Sequence, residues 1–302
     1  MVANSNHKNI KEQEVYNLLN PKLDYVFKRI FGHTGNEEIT KGFLSAIIKE
    51  QINEITLDCN PITEKDLLDD KVGILDIKAK LNNNINCNVE MQIVDHKNIE
   101  KRLLFYWSKM YSSSIKEGTD YDKLEKAIVI LITDYNLKSL KNISKYITKW
   151  NIREEEYSKI ILTDALEFYI IEADKARNLG YENKNKQLNS WLQFINNPEV
   201  VLKMENEEIK KARKVLEEIS KDKKERYLAE LRQKYIMDQK AVADAGFDKG
   251  LEVGIERGIE RGIEQGAQQK EIEIAKKMKQ ENIEILLITK ITGLTKEEIE
   301  KL

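Results

Sequence analysis

Cysteine, proline and aromatic residues are all scarce in this chain of 302 residues. It has two cysteines, Cys59 and Cys87, three prolines and 7% aromatic residues. Two cysteines cannot build a disulfide framework, and no Cys/His spacing resembles a zinc site. No run of about 18 apolar residues is present, and the polar N-terminus lacks the apolar segment of an export signal. These absences exclude a transmembrane helix and predict a soluble, cytoplasmic protein.

The chain also has no large excess of positive or negative charge. The 50 Lys and Arg residues nearly balance the 52 Asp and Glu residues, so the net charge is −2 although 34% of the chain is charged. A chain that is not a polycation can bind nucleic acid only through a local basic surface. At roughly 100–200 residues per domain, the length predicts two domains.

Hydrophobic periodicity predicts a mixed α/β first half. Apolar residues at helical spacing indicate helices over 22–31, about 36–51 and 97–117. Alternating or β-branched apolar residues indicate strands, and the run at 126–135 is typical of a strand covered on both faces. The predicted strands are 52–58, 72–81, 86–94, 126–135 and 166–173.

Beyond about residue 175 the sequence predicts helices only. Gly250 begins a strict repeat in which every fourth residue is glycine, up to Gly266. The C-terminal end contains two short helical segments joined around Gly293, and Thr295 with Glu298 forms a capping box for the second segment. The longer amphipathic helices are predicted at 185–195, 206–219 and 223–245.

Two acidic residues face each other in the predicted hairpin of strands 72–81 and 86–94. Three consecutive asparagines between the strands predict a turn centred on Asn83, because asparagine tolerates left-handed backbone conformations. Asp76 then lies directly across from Glu90, and opposed carboxylates repel unless a cation or proton lies between them. Mg²⁺ or Mn²⁺ is the expected cation. The alternative is a hairpin with one solvated face, where acids have no function; a covered sheet argues against it.

An Asp on one strand, Glu-x-Gln on the next and then a helix resemble the PD-(D/E)xK nuclease superfamily. With the surrounding residues, the pattern resembles the Rpn family, whose members are described as recombination-promoting nucleases or transposases of bacteria. The resemblance covers roughly residues 17–240. Its residues are Pro21–Gly32, Ile74–Ile77, Asn88–Gln92, Arg102 and Tyr106.

The resemblance implies a restriction-endonuclease-like α/β fold, in which a mixed sheet is flanked by helices and followed by an all-helical C-terminal region. The expected division is a nuclease-like domain at 1–175, a helical extension at 176–245 and a glycine-repeat tail at 246–302. It also implies a bacterial cytoplasmic enzyme that hydrolyses DNA phosphodiester bonds with a divalent metal.

The resemblance also assigns roles to individual residues. It implies that Asp76 and Glu90 ligate the metal, with the backbone carbonyl of Met91 as a further ligand. Asp24 is expected close to the same metal. Gln92 occupies the place of the superfamily lysine.

Gln92 is a departure from the superfamily pattern. A lysine orients and helps to deprotonate water, whereas a neutral amide can only orient it. Lys78 shares a strand face with Asp76 and is a candidate for the missing cation. Lys22 and Lys28, which flank Asp24, are further candidates and are also expected DNA contacts. For each lysine the alternative is a solvated surface charge.

The helix after the hairpin offers a phosphate contact. Arg102 and Tyr106 are four residues apart and therefore lie on one helix face. We expect them to contact DNA, with Arg102 donating to a phosphate through its planar fork. The alternative is an arginine at the rim of a core that includes Trp107. His33 and His96 are assigned no role.

The glycine repeat predicts self-association. Five glycines inside a helix cost about 1 kcal/mol each relative to alanine, and close approach of a second helix offsets such a cost. The regularly spaced Ile255, Ile259 and Ile263 argue against the alternative of a flexible linker. We expect a homodimer formed through this region.

The combined expectation is a Mg²⁺-dependent DNA endonuclease of low sequence specificity, linked to recombination or mobile elements. Two alternatives remain open: a DNA-binding, transposase-like protein with a degenerate catalytic site, and a regulatory oligomerising protein.

Overall fold

The structure is a computed structural model that describes residues 17–58, 62–68, 76–95, 98–181, 185–199 and 205–302. It divides into two compact units, of which the first ends at Met237 and the second runs from Asp238 to Leu302. The start of the predicted hairpin, 72–75, lies outside the described residues, as do Cys59 and His96. No described helix has the length and apolar character needed to span a membrane.

The first unit alternates helices and strands and ends within a long helix. The strands are β1 Ile55–Asp58, β2 Ile77–Leu81, β3 Ile85–Gln92, β4 Lys126–Thr133, β5 Ile147–Trp150 and β6 Leu166–Glu172. The helices are α1 Asp24–Phe31, α2 Glu37–Ile48, α3 Glu64–Leu67, α4 Ile99–Ser112, α5 Ala173–Asn178, α6 Lys186–Asn196, α7 Glu207–Lys221 and α8 Lys223–Gln280.

The strands form one mixed sheet in the order β1-β2-β3-β4-β6-β5. β3, β4 and β6 are parallel, and the other pairs are antiparallel. In the hairpin Ile77 pairs with Val89 and Leu81 with Ile85, and Asn82 and Asn83 have positive φ angles of 48° and 64°. The predicted register is therefore confirmed.

Helices cover both faces of the sheet, which confirms the predicted restriction-endonuclease-like fold. On one face, α1, α2, α6 and α7 bury an aromatic cluster that includes Phe31, Phe43 and Trp191. On the other face, α4 packs Ile99 and Leu103 onto β4 and β6. Trp107 packs against this second cluster, as expected for a core residue. β4 is buried on both faces, as its apolar sequence predicts.

Several element boundaries differ from the prediction. The helix predicted at 97–117 ends at Ser112, and the strand β5 and the helices α3 and α5 were not predicted. These elements have four to six residues, too few for a clear hydrophobic period. The helix predicted at 223–245 and the helical glycine repeat predicted after it form one unbroken helix, α8, that continues to Gln280.

The second unit contains the rest of α8, α9 Ile285–Thr292 and α10 Lys296–Lys301. Ala275, Ile288, Leu294 and Ile299 form its small core. Gly293 has a positive φ of 74° between the two short helices, and Thr295 and Glu298 form the predicted capping box. The division at 1–175, 176–245 and 246–302 stays a prediction.

Candidate active site

The two predicted metal-binding acids lie at the end of the β2–β3 hairpin. Asp76 immediately precedes β2, and the register, continued one step beyond Ile77 and Val89, places it across from Glu90. Asp76 is 8% exposed and Glu90 is 1% exposed. Asn88 donates a hydrogen bond of 3.4 Å from its amide to Asp76 Oδ2. Two buried acids and an amide therefore share one face of the hairpin.

Burial makes both carboxylates hard to ionise. Loss of solvent raises the pKa of Asp76 to about 6. Burial also raises the pKa of Glu90 to about 8, and the neighbouring charge of Asp76 adds to the effect. Arg102 opposes both shifts through its positive charge. Such a pair favours the binding of a cation, because a cation would stabilise the ionised forms of both carboxylates.

Among the residues that the structure describes, the hydrogen bonds to Glu90 reach one of its two carboxylate oxygens. Its Oε1 accepts from Arg102 Nη2 and from the Gln92 side-chain amide. Its Oε2 is buried and has no hydrogen-bond partner among the described residues. A buried carboxylate oxygen without a donor is costly, so this atom offers a ready ligand position.

Arg102 and Tyr106 lie on one face of α4, as their spacing predicts. The Arg102 guanidinium carbon is 5.6 Å from the centre of the Tyr106 ring, and Arg102 forms an ion pair with Glu90. The guanidinium of Arg102 therefore contacts Glu90, one of the two acids. Its predicted contact with a phosphate stays a prediction.

Asp24 begins α1 and is held by an arginine that the sequence analysis did not identify. Arg232 of α8 donates from Nη2 and Nε to Asp24 Oδ2, at 2.7 and 3.0 Å. Arg232 also donates to the Leu67 carbonyl, at 3.1 Å. The charge of Asp24 helps to raise the pKa of Glu90, so the two acids are within electrostatic range.

The three predicted lysines occupy different surroundings. Lys22 forms an ion pair of 2.7 Å with Asp134, which directly follows β4. Lys28 is only 6% exposed, whereas Lys78 is exposed on β2. The charges of Lys78 and Lys28 both lower the pKa of Asp76. Two of the three therefore lie within electrostatic range of a site acid.

Asn88 and Asp134 were also not predicted as site residues, although the sequence pattern around each could have indicated its position. Asn88 shares a strand face with Glu90, and Asp134 ends a buried strand parallel to β3. The backbone N–H of Asp134 donates to the Gln92 carbonyl, at 3.0 Å. Arg232 had no such signal, because no local pattern links it to Asp24.

The residues of the site fit a hard divalent cation in part. In the regions that the structure describes, no group of three or more His, Cys, Asp and Glu side chains is placed to hold a metal. Asp76 and Glu90 nevertheless provide two carboxylate ligands, and Glu90 Oε2 has no hydrogen-bond partner within the described ranges. Asp24 is occupied by Arg232. Met91 is buried in β3, and the role of its carbonyl stays a prediction.

A mixed sheet with paired acids on a hairpin, followed by a helix that reaches back to them, defines a nuclease-like α/β protein. The family model described as PD-(D/E)XK nuclease family transposase matches residues 21–246, so the chain belongs to this family. The match agrees with the resemblance to the Rpn family. No curated protein and no solved structure matches the chain.

Membership of this family supports a nuclease- or transposase-like role with DNA as the partner. Nucleases of the PD-(D/E)XK type generally use divalent metal ions. Family membership therefore indicates the class of activity, whereas the roles of individual residues stay predictions.

Proposed function

We propose that this protein is a metal-dependent DNA endonuclease of low sequence specificity that acts in recombination or mobile-element processes in the bacterial cytoplasm. The observation that supports the proposal is the pair of buried acids, Asp76 and Glu90, on adjoining hairpin strands. Burying two like charges together destabilises a fold, so the pair needs a compensating function.

Asp76, Glu90 and the carbonyl of Met91 would hold Mg²⁺ or Mn²⁺. When bound, such an ion lowers the pKa of a water molecule and neutralises charge that develops on the phosphate. Gln92 donates to Glu90 through its amide nitrogen, which leaves its amide oxygen to accept a hydrogen bond from water. Lys78 and Lys28 place positive charge near Asp76, where a phosphate would gain stabilisation.

Plasmid cleavage tests the proposal. The parent protein should nick plasmid DNA in Mg²⁺ and not in EDTA, and Asp76→Asn and Glu90→Gln should reduce nicking at least about a hundredfold. Glu156→Gln is the matched control, because Glu156 is an exposed acid outside the acid pair. Nicking by both site variants at the parent rate would refute the assignment.

Gln92 supports a second candidate, a DNA-binding protein with a degenerate catalytic site. Calorimetric titration with Mn²⁺ separates the two candidates. A functional site should bind Mn²⁺ in a manner that requires Asp76, whereas a degenerate site should bind DNA without such metal binding.

We further propose that the glycine repeat of α8 joins two copies of the chain. A Cβ added at any glycine from Gly246 to Gly266 meets no other group within 4 Å, and Ile255, Ile259 and Ile263 are 55%, 58% and 69% exposed. Rows of residues four apart form ridges and grooves, and two such rows pack at a crossing angle of about −50°. The isoleucine ridge of one copy then fits the glycine groove of another.

Light scattering on the full chain tests this dimer. The parent should show about twice the 35.3 kDa mass of one chain, and Ile259→Glu should be monomeric. Glu260→Gln, on another face of the helix, should remain dimeric. A monomeric parent would refute the dimer. A regulatory role of the tail would be refuted if deletion of 246–302 changed neither the number of chains per oligomer nor the nicking activity.

A further inference from the structure

The sheet face beneath α4 divides into an apolar half and a polar half. Over β4 and β6, Val129, Leu131 and Ile170 pack against α4. Over β1, β2 and β3, the residues on this same face of the sheet are polar. They form directly opposed pairs, and opposed residues present their side chains on one face. These residues are Thr56, Asp58, Lys78, Lys80, Asn86 and Asn88.

A groove of about 600 Å³ lies between this polar half and the second half of α4. Tyr106, Lys109 and Ser113 line it on the helix side. Asp76 and Asn88 are also part of its wall. The groove is therefore continuous with the acid pair described above.

The groove has cations that are available to a ligand. Lys78 and Lys109 are exposed, and neither forms an ion pair with a residue in the described part of the chain. Lys80 is instead neutralised by Glu125, at 2.7 Å. Asp58 is an exposed acid of the groove wall and lies directly across from Lys78 in the strand register. Unpaired lysines beside a hydrolytic site favour a phosphate-containing ligand.

The floor of the groove contains an unsatisfied acceptor. Asn88 is 5% exposed, its amide nitrogen donates to Asp76, and its Oδ1 has no partner within the described residues. A buried amide oxygen without a donor destabilises the fold, and a ligand N–H group would satisfy it. Nucleobase edges provide such N–H groups, but base pairing occupies most of them in a duplex.

The size of the groove restricts what enters it. Pockets of about 300–1,000 Å³ hold small ligands, so the groove has room for an unpaired nucleotide rather than for a stacked duplex. Tyr106 is 9% exposed and lies beneath Arg102, so it bounds the groove without offering an open stacking face.

We propose that this groove binds an unpaired nucleotide of the DNA strand that is cut, so that the preferred substrate is DNA with a single-stranded segment or flap. The proposal rests on the proposed nuclease function and specifies its substrate class. The phosphate of the bound nucleotide lies near Lys78 and Lys109, and its base meets Asn88.

Fluorescence anisotropy in EDTA tests the proposal on the full chain without cleavage. The probes are a labelled blunt duplex, the same duplex with an unpaired flap, and the flap strand alone. The parent should bind the flapped probe about tenfold more tightly than the blunt duplex, since only the unpaired nucleotide brings its phosphate to the two groove lysines.

Lys109→Glu and Ser113→Glu should each weaken binding of the flapped probe about tenfold. The matched controls are Lys101→Glu and Ser108→Glu, on the same helix but outside the groove wall, which should bind within about twofold of the parent. Thermal melting should show that all four variants remain folded.

Equal binding of blunt and flapped probes, or parent-like binding by both groove variants, would overturn the groove proposal. If Asp76→Asn still abolished nicking in that case, the proposed nuclease function would stand. Equally tight binding of an RNA flap would overturn the assignment to DNA. Failure of the parent to bind or nick any probe would refute both proposals.

Discussion

Arg232 holds both carboxylate oxygens of Asp24, although the two residues are 208 positions apart in the sequence. The shortest contact, from Nη2 to Oδ2, is 2.7 Å, and both side chains are largely buried. Two turns earlier on α8, Glu225 accepts from Arg29 and from the Tyr25 hydroxyl, at 2.7 to 2.9 Å. The start of α8 therefore fixes the helix that supplies Asp24.

Arg232→Ala should lower the free energy of unfolding by about 3–5 kcal/mol, because it leaves a buried carboxylate without its partner. Arg232→Lys should recover part of this loss, since lysine keeps the charge but not the planar fork. Urea denaturation measures both effects. Lys234→Ala, an exposed residue on the same helix, should change stability by less than about 0.5 kcal/mol. Equal losses for Arg232→Ala and Lys234→Ala would contradict the prediction.

The raised pKa values of Asp76 and Glu90, about 6 and about 8, predict how stability depends on pH in the metal-free protein. Between their ordinary pKa values near 4 and these raised values, the folded state binds more protons than the unfolded state. The free energy of unfolding should therefore fall as pH rises from about 4 to about 8.

Glu90→Gln should reduce this decrease in the free energy of unfolding by at least about 1.4 kcal/mol, the equivalent of one pKa unit. Urea unfolding in EDTA at several pH values measures the profile. Glu156→Gln, which changes an exposed acid, should keep the profile of the parent. A Glu90→Gln profile as steep as that of the parent would show that this carboxyl does not titrate as stated.

Divalent metal should stabilise the parent protein more at pH 8 than at pH 5.5, because both carboxylates must lose their protons to bind it. At a Mn²⁺ concentration of about one hundred times Kd, the gain should be about 2.7 kcal/mol. Thermal melting with Mn²⁺, and again after EDTA, measures the gain and its removal. An undiminished gain in Asp76→Asn would place the metal elsewhere.

The side chain at position 92 should set the rate of cleavage. Gln92→Leu removes the amide that orients water and should reduce the rate of nicking about tenfold or more. Gln92→Lys restores the superfamily cation and should raise it above the parent rate. Both variants should bind the flapped probe in EDTA as the parent does. Parent-like nicking by Gln92→Leu would exclude Gln92 from the reaction.

Local sequence patterns were sufficient to predict the hairpin, the buried strand β4 and the final capping box. Their determinants lie within a few residues: three asparagines for the turn, alternation for the strand faces, and Thr295 with Glu298 for the cap. The four-residue spacing of Arg102 and Tyr106 predicted their shared helix face, but not the ion pair of Arg102 with Glu90.

The ion pairs around the site could not be predicted in the same way. Lys22 with Asp134 and Asp24 with Arg232 join residues that are distant in the sequence and that only the fold brings together. The lysines near the site are numerous in the sequence, and no local pattern distinguishes the buried Lys28 from the exposed Lys78. The glycine repeat was predicted to be helical, but no local pattern indicated that it continues the preceding helix without a break.

The dependence of Asp24 on Arg232 has a consequence for biosynthesis. A ribosome completes all six strands before it reaches α8, so a nascent chain can form the sheet while Asp24 still lacks its partner. Premature termination before position 232 would release a polypeptide with the acid pair encoded but the first helix unsecured. Completion of the candidate site around Asp24 is thereby delayed until most of the message has been read.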